Sequence, residues 1–220
     1  MNRRFSAPRR PLALAAATAA LTLAWPSQAA AAAPAAAPAR PAAVVAAHGG
    51  LAQLRGVDYT TWKRDVDAVV AAARPYIEQR TAGASGQKLA VVLDIDNTSL
   101  ETDFHFFWEY PTPAVSPVRD LVRYAHARGV AVFFVTARPG ILHAPTEYNL
   151  KAVGYPVNGL YVRDLPDLFE EVAAYKTEKR AEIEAKGYTI IANIGNRPSD
   201  LTGGHAERTF KLPDYDGKLS

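Results

Sequence analysis

The stretch "VVLDIDNTSL", Val91 to Leu100, sets an apolar run against two carboxylates one residue apart, Asp94 and Asp96. Leu89 to Leu93 reads as a buried strand, entered from the turn-forming loop "GASGQK". A strand in a core does not end comfortably on two like charges, because unpaired carboxylates repel each other and resist burial. A cation or a reaction belongs at that strand end.

Upstream, Trp62, Val66, Val69, Val70, Ala73 and Ile77 recur at helical spacing from Asp58 onward, and Pro75 is expected to kink or end that helix. Downstream, Ser116 offers an N-cap and Pro117 a first helical position. Val118, Leu121, Val122 and Ala125 give the apolar face of that helix, and Gly129 its stop. "VAVFFVT", Val130 to Thr136, is a second buried strand. A short helix around Thr146 to Val153, the strand "GLYV", a charged helix from Thr177 to Lys186, the core strand "TIIANI" and an edge strand "RTFKL" follow. Strands that are continuous apolar runs, alternating with helices, predict an α/β fold with a mainly parallel sheet covered on both faces. In such sheets ligands bind beyond the carboxyl ends of the strands.

The other strand ends are polar too. The second finishes in Thr136-Ala137-Arg138, and the fourth in "NIGNRPSD", which carries Asn196, Ser199 and Asp200; Lys176 is expected just before the charged helix. Each alone has an ordinary structural explanation: Thr136 a satisfied strand-end hydroxyl, Lys176 a solvated charge, Asp200 an N-cap. Together at successive strand ends they suit phosphoryl transfer. A phosphate monoester is dianionic and resists an anionic nucleophile, so the site needs positive charge. Mg²⁺, which selects oxygen ligands, could bridge Asp94, Asp96 and a phosphate oxygen, with Lys176 a second cation and Thr136 a donor to the phosphoryl group. Attack by Asp94 would give an aspartyl-phosphate, with Asp96 as acid and then base.

"DIDNT", "VTARP", "YKTEKR" and "GNRPSD", in this order, resemble the four motifs of the haloacid dehalogenase (HAD) superfamily across roughly Lys88 to Leu212. Within it the chain is similar to the secreted acid phosphatases related to plant vegetative storage proteins and bacterial nonspecific acid phosphatases. The resemblance implies a three-layer Rossmann-like fold with Mg²⁺. It implies Asp94 as nucleophile, Asp96 as acid/base, Thr136 as phosphate binder and Lys176 as orienting cation. The fourth motif of the family usually begins Gly-Asp, and that acid helps hold the metal. Here Asn196 stands in its place and Asp200 remains, so the implied metal set is Asp94, Asp96, Asn196 and Asp200. The stretch between the first two motifs leaves room for only a small cap. Its rings Phe104, Phe106, Phe107, Trp108 and Tyr110 are expected to pack that cap onto the core; stacking on an aromatic leaving group is the alternative. His105 and His143 lie near the rim and are assigned no role.

The rest of the chain bounds the setting. Arg3, Arg4, Arg9 and Arg10 precede the uncharged apolar run Leu12 to Trp25, and Ser27-Gln28-Ala29 offers a cleavage point, so residues 1–30 read as a signal peptide. Ala/Pro-rich residues 31–43 read as a linker, and residues 44–220 as the phosphatase domain. A secreted protein without a stable membrane anchor after cleavage is expected. Losing four arginines takes 25 basic residues to 21 against 22 acidic, which removes the support for a nucleic-acid partner. With 0 cysteines there is neither a thiol nucleophile nor a Cys-ligated zinc. The expected partner is a small phosphate monoester. The competing expectation is a secreted binding or storage protein on the same fold with weak or no phosphatase activity.

Overall fold

The apolar run that ends at Asp94 becomes β1, Lys88–Leu93, the middle strand of a five-stranded sheet. A computed structural model describes residues 51–220, and the expected signal peptide, linker and domain start lie outside the described residues. The sheet order is β3-β2-β1-β4-β5, with β2 at Ala131–Pro139, β3 at Gly159–Arg163, β4 at Tyr188–Gly195 and β5 at Thr209–Lys211. Every pairing is parallel. All strand carboxyl ends therefore open on one edge.

Helix α1 is the single turn Leu51–Leu54. Helix α2 runs from Tyr59 to Ala82, capped by Asp58, whose side chain accepts from the Thr61 N–H. It continues through Pro75, where a kink or stop was expected. Pro75 and Ala71 are both exposed, so the carbonyl that proline leaves unpaired can bond to water. Helix α3, Ser116–His126, starts one residue earlier than expected, and Ser116 makes no cap; its hydroxyl accepts from Lys63 Nζ at 3.0 Å instead. After α4, His143–Ala152, comes α5, Val172–Ala185, and then the short α6, Pro198–Leu201.

The pleat sorts side chains into two cores. Val91 and Leu93 join Trp62, Val66, Val118 and Leu121 beneath α2 and α3, while Ala90 and Val92 face Tyr175 and Ile183 of α5. The three-layer α/β architecture expected from the sequence is what the chain forms. This alternation has a consequence for the site: Asp94 follows Ala90 and Val92 onto the α5 side. The stretch from Thr102 to Ala114 contributes a single 3₁₀ turn, Thr102–Phe104, and no separate cap domain.

Candidate active site

Asp94 begins the site. Its backbone N–H continues the β1–β4 ladder by donating to the Ile194 carbonyl at 3.0 Å, and its own carbonyl accepts from Ser99 Oγ at 2.6 Å. The strand end is thereby held while the carboxylate turns toward α5. There Lys176 Nζ donates to Asp94 Oδ1 at 2.5 Å and to Asp200 Oδ1 at 2.6 Å. All three side chains are buried. Lys176 lies inside α5, in its second turn, and not before a helix as the sequence suggested. Glu171 caps this helix by accepting from the Ala174 N–H, so the helix begins well ahead of the lysine.

One ammonium thus sits between two buried carboxylates. Burial pushes the Asp94 carboxyl up; Lys176 opposes this and the Asp200 and Asp96 carboxylates add to it, with a balance of about 7. Lys176 is also raised: burial alone would lower it, but the two carboxylates hold its proton.

Asp96 sits apart from this triad and has its own cation. Arg138 grips it with both arms of the guanidinium, Nη2 to Oδ1 at 2.7 Å and Nε to Oδ2 at 3.1 Å. Burial works to raise the Asp96 carboxyl, and the Arg138 hydrogen bonds and charge overcome it, leaving the group below the usual carboxylate range. Arg138 also donates to Thr146 Oγ1 at 3.0 Å, and its N–H bonds Thr136 Oγ1 at 3.2 Å. Register places Thr136 here, since Leu93 pairs with Phe134 and the two chains leave the sheet side by side. Each of the two neighbouring acids thus has its own cation, Lys176 for Asp94 and Arg138 for Asp96.

Sequence reasoning missed three supports of the site. Arg138 was visible only as part of a polar turn. Arg180, buried, donates to the carbonyls of Asp200 at 2.8 Å and Gly204 at 2.9 Å and to that of Thr202. Asn193 Nδ2 adds a bond to the Asp200 carbonyl at 2.8 Å. Together they fix the turn that presents Asp200. Gly195 is the fourth requirement, because a Cβ there would collide with the Asp200 side chain. Gly195→Ala is expected to cost about 1–3 kcal/mol through overpacking and to push Asp200 off Lys176. Urea unfolding reads the first effect and enzyme assay the second.

Asn196 is buried at the same edge, with its amide already engaged: Oδ1 accepts from Thr98 Oγ1 at 3.3 Å and Nδ2 donates to the Ser220 main-chain oxygen at 2.9 Å. Among the described residues no three His, Cys, Asp or Glu side chains group as a metal cage. The expected ring packing holds for Phe104 alone, which is buried against Trp62 at 4.3 Å and Tyr59 at 5.2 Å. Phe106, Phe107, Trp108 and Tyr110 are exposed, with Phe106 stacked on Trp108 and Tyr110 on Tyr148.

Comparison with known proteins gives a consistent result. The sequence model described as HAD superfamily, subfamily IIIB (acid phosphatase), matches residues 16–218. A stem 28 kDa glycoprotein of Glycine max is 39% identical over 90 residues, which are 39% of this chain and 35% of that protein. The chain thus spans about a third of the length of that soybean relative. Acid phosphatase 1 of Solanum lycopersicum is 27% identical over 173 residues, 70% of this chain and 68% of the relative. The structure of the class C acid phosphatase from Bacillus anthracis superposes with a TM-score of 0.58 at 18% identity, covering 75% of this chain and 83% of that one, a likeness of fold.

Proposed function

The chain belongs to subfamily IIIB of the HAD superfamily, the acid phosphatases, and on that premise we propose that it hydrolyses small phosphate monoesters through an aspartyl-phosphate on Asp94. The observation that carries this reading is the buried Asp94–Lys176–Asp200 triad at the carboxyl end of the central strand. Lys176 holds Asp94 in place and offers positive charge where a phosphoryl group would arrive. An Asp94 oxygen attacks phosphorus as the ester P–O bond breaks. Asp96, beside it, is the acid for the departing alkoxide. To serve, it must first take up a proton from solvent and release one arm of Arg138, because both its oxygens accept from that guanidinium in the resting site. Water then attacks the phosphoryl group, Asp96 takes the water's proton, and phosphate leaves with Asp94 restored. The Thr136 hydroxyl and the Lys176 ammonium donate to the phosphoryl oxygens. Arg138, by holding both Asp96 oxygens, fixes that side chain in one orientation and keeps it ionised between turnovers.

The donor set fits Mg²⁺ in part. Asp94 and Asp200 present hard carboxylate oxygens; Asp94 Oδ2 accepts no hydrogen bond from the described residues, while both Asp200 oxygens are taken, by Lys176 and by the Arg197 N–H. Asp94 would hold the ion, with Asp200 joining only by giving up one of those bonds, and the ion when bound supplies charge neutralisation to the phosphoryl group. Asp96 and Asn196, the other expected ligands, have their polar atoms on Arg138, Thr98 and Ser220.

Purified protein incubated with p-nitrophenyl phosphate, with and without Mg²⁺, tests the reading. Turnover that rises with Mg²⁺ is expected, and no turnover in either condition would overturn it. That second result would leave the other reading, a secreted binding or storage protein. Asn196, standing where the fourth motif usually has an acid, favours it.

Export is part of the proposal. No helix among the described residues is long and apolar enough to cross a membrane. A mature N-terminus near Ala30 is expected in the culture supernatant by mass spectrometry; protein retained in the cytosol with Met1 in place would refute it.

A further inference from the structure

Asn196 is the fourth-motif residue that the reaction leaves without a task. Its amide donates to the Ser220 main-chain oxygen at 2.9 Å. The same oxygen accepts from Asn97 Nδ2 at 3.1 Å, and Ser220 Oγ accepts from that Asn97 amide at 3.1 Å. Ser220 in turn donates to Asp103, its N–H to Oδ2 at 2.8 Å and its hydroxyl to Oδ1 at 2.9 Å. Asn97 closes the circuit by accepting from the Asp103 N–H at 2.9 Å. Asn97, Asp103 and Asn196 are all buried.

The segment that delivers Ser220 is itself anchored. It leaves β5 with the Leu212 N–H bonded to the Gly195 carbonyl at 2.8 Å, and both Leu212 and Leu219 are fully buried. Arg197 Nη1 donates to the Leu219 carbonyl and Arg55 Nη1 to that of Lys218, each at 2.8 Å. The result is a plug between two segments: the loop after β1, which carries Asp94 and Asp96, and the turn after β4, which leads through Asn196 into α6 and Asp200.

We propose that Asn196 is a positioning residue: through Ser220 it latches the loop carrying Asp200 to the loop carrying Asp96, and hydrogen-bond donation, not metal ligation, is its task. Only an amide of this size both accepts from Thr98 and donates to Ser220. An ionised aspartate would set a second acceptor against the Ser220 oxygen and open the latch. Asn97 contributes from a left-handed backbone conformation, φ 54°, which asparagine tolerates better than most residues. The kinetic consequence rests on the phosphatase reading; the latch itself does not.

The test compares Asn196→Asp with Leu219→Ala, which loosens the same segment away from the chemistry, and with the double variant. Amide exchange over residues 212–220, kcat and KM for p-nitrophenyl phosphate, and calorimetric titration with Mg²⁺ are read for each. Both single variants are expected to speed exchange of the segment by about tenfold or more. Both should lower kcat by about tenfold with KM within about twofold, and the double should lose no more than the worse single, because they break one latch. Mg²⁺ should bind Asn196→Asp no more tightly than wild type. Tighter Mg²⁺ binding with unchanged exchange would make position 196 a metal site and overturn the proposal. Faster exchange with wild-type kcat in both variants would overturn the positioning role. Should the wild type itself show no turnover, the phosphatase reading fails, and exchange and calorimetry still decide the latch.

Discussion

Asp94→Asn is expected to lower kcat by about 10³-fold or more, the scale for removing a nucleophile that nothing nearby replaces. An amide nitrogen or oxygen in that position cannot form the acyl-phosphate, and Asp200, the other carboxylate on Lys176, is held by the Arg197 N–H at 2.7 Å on its second oxygen. The fold should survive. Asparagine keeps the shape, its carbonyl can still accept from Lys176, and the ammonium keeps Asp200 as a charged partner. Burial already pushes the Asp94 carboxyl up, so a neutral side chain there removes a desolvation cost along with an attraction. A melting temperature close to wild type, no phosphoryl adduct on the variant by mass spectrometry and no turnover would together support the covalent route. Residual activity within about tenfold of wild type would end it.

What made Asp94 legible in the sequence is local: an apolar run that stops on two acids states its own oddity. The parallel sheet was legible for a similar reason, since its central strands are short uninterrupted apolar runs separated by helical stretches; the strand order β3-β2-β1-β4-β5 was not, because no such run names its neighbours. Lys176 was legible as a residue but not as a position. "EEVAAYKTEKR" contains good helix formers throughout, and only the Glu171 cap decides that the helix starts four residues ahead of a lysine that then points into the sheet. Arg138 escaped because its value lies in reaching Asp96 across two strands, which depends on register. Ser220 escaped completely: its partner Asn97 is 123 residues away, and no pattern in a chain announces a contact between a buried asparagine and a distant main-chain oxygen. The exposed rings from Phe106 to Tyr110 show the converse failure. Aromatic density suggests a core, but these rings stack at the surface, Phe106 on Trp108 and Tyr110 on Tyr148 of α4, and only Phe104 reaches the core.

Lys176→Met should damage stability and activity together, and that pairing separates it from Asp94→Asn. Methionine fills the volume but leaves Asp94 and Asp200 buried, close and without a cation. Breaking a buried pair from one side typically costs about 3–5 kcal/mol. Asp94 can escape only by taking up a proton, so its carboxyl rises further than the value of about 7 that it already has. A carboxyl raised in the folded state contributes stability that is present below its unfolded pKa, near 4, and lost as pH rises through the folded value. In the absence of Mg²⁺, the deficit of Lys176→Met relative to wild type should therefore be larger at pH 8 than at pH 5, opening above about pH 7, because below that value Asp94 titrates against the unfolded chain alike in both proteins. Activity should fail with it, because a protonated Asp94 is no nucleophile. Adding Asp94→Asn to Lys176→Met should recover much of the lost stability and none of the activity. Urea unfolding of the three variants at both pH values decides this. A Lys176→Met protein as stable as wild type at pH 8 would mean that the ammonium is not what lets the two acids share a buried site.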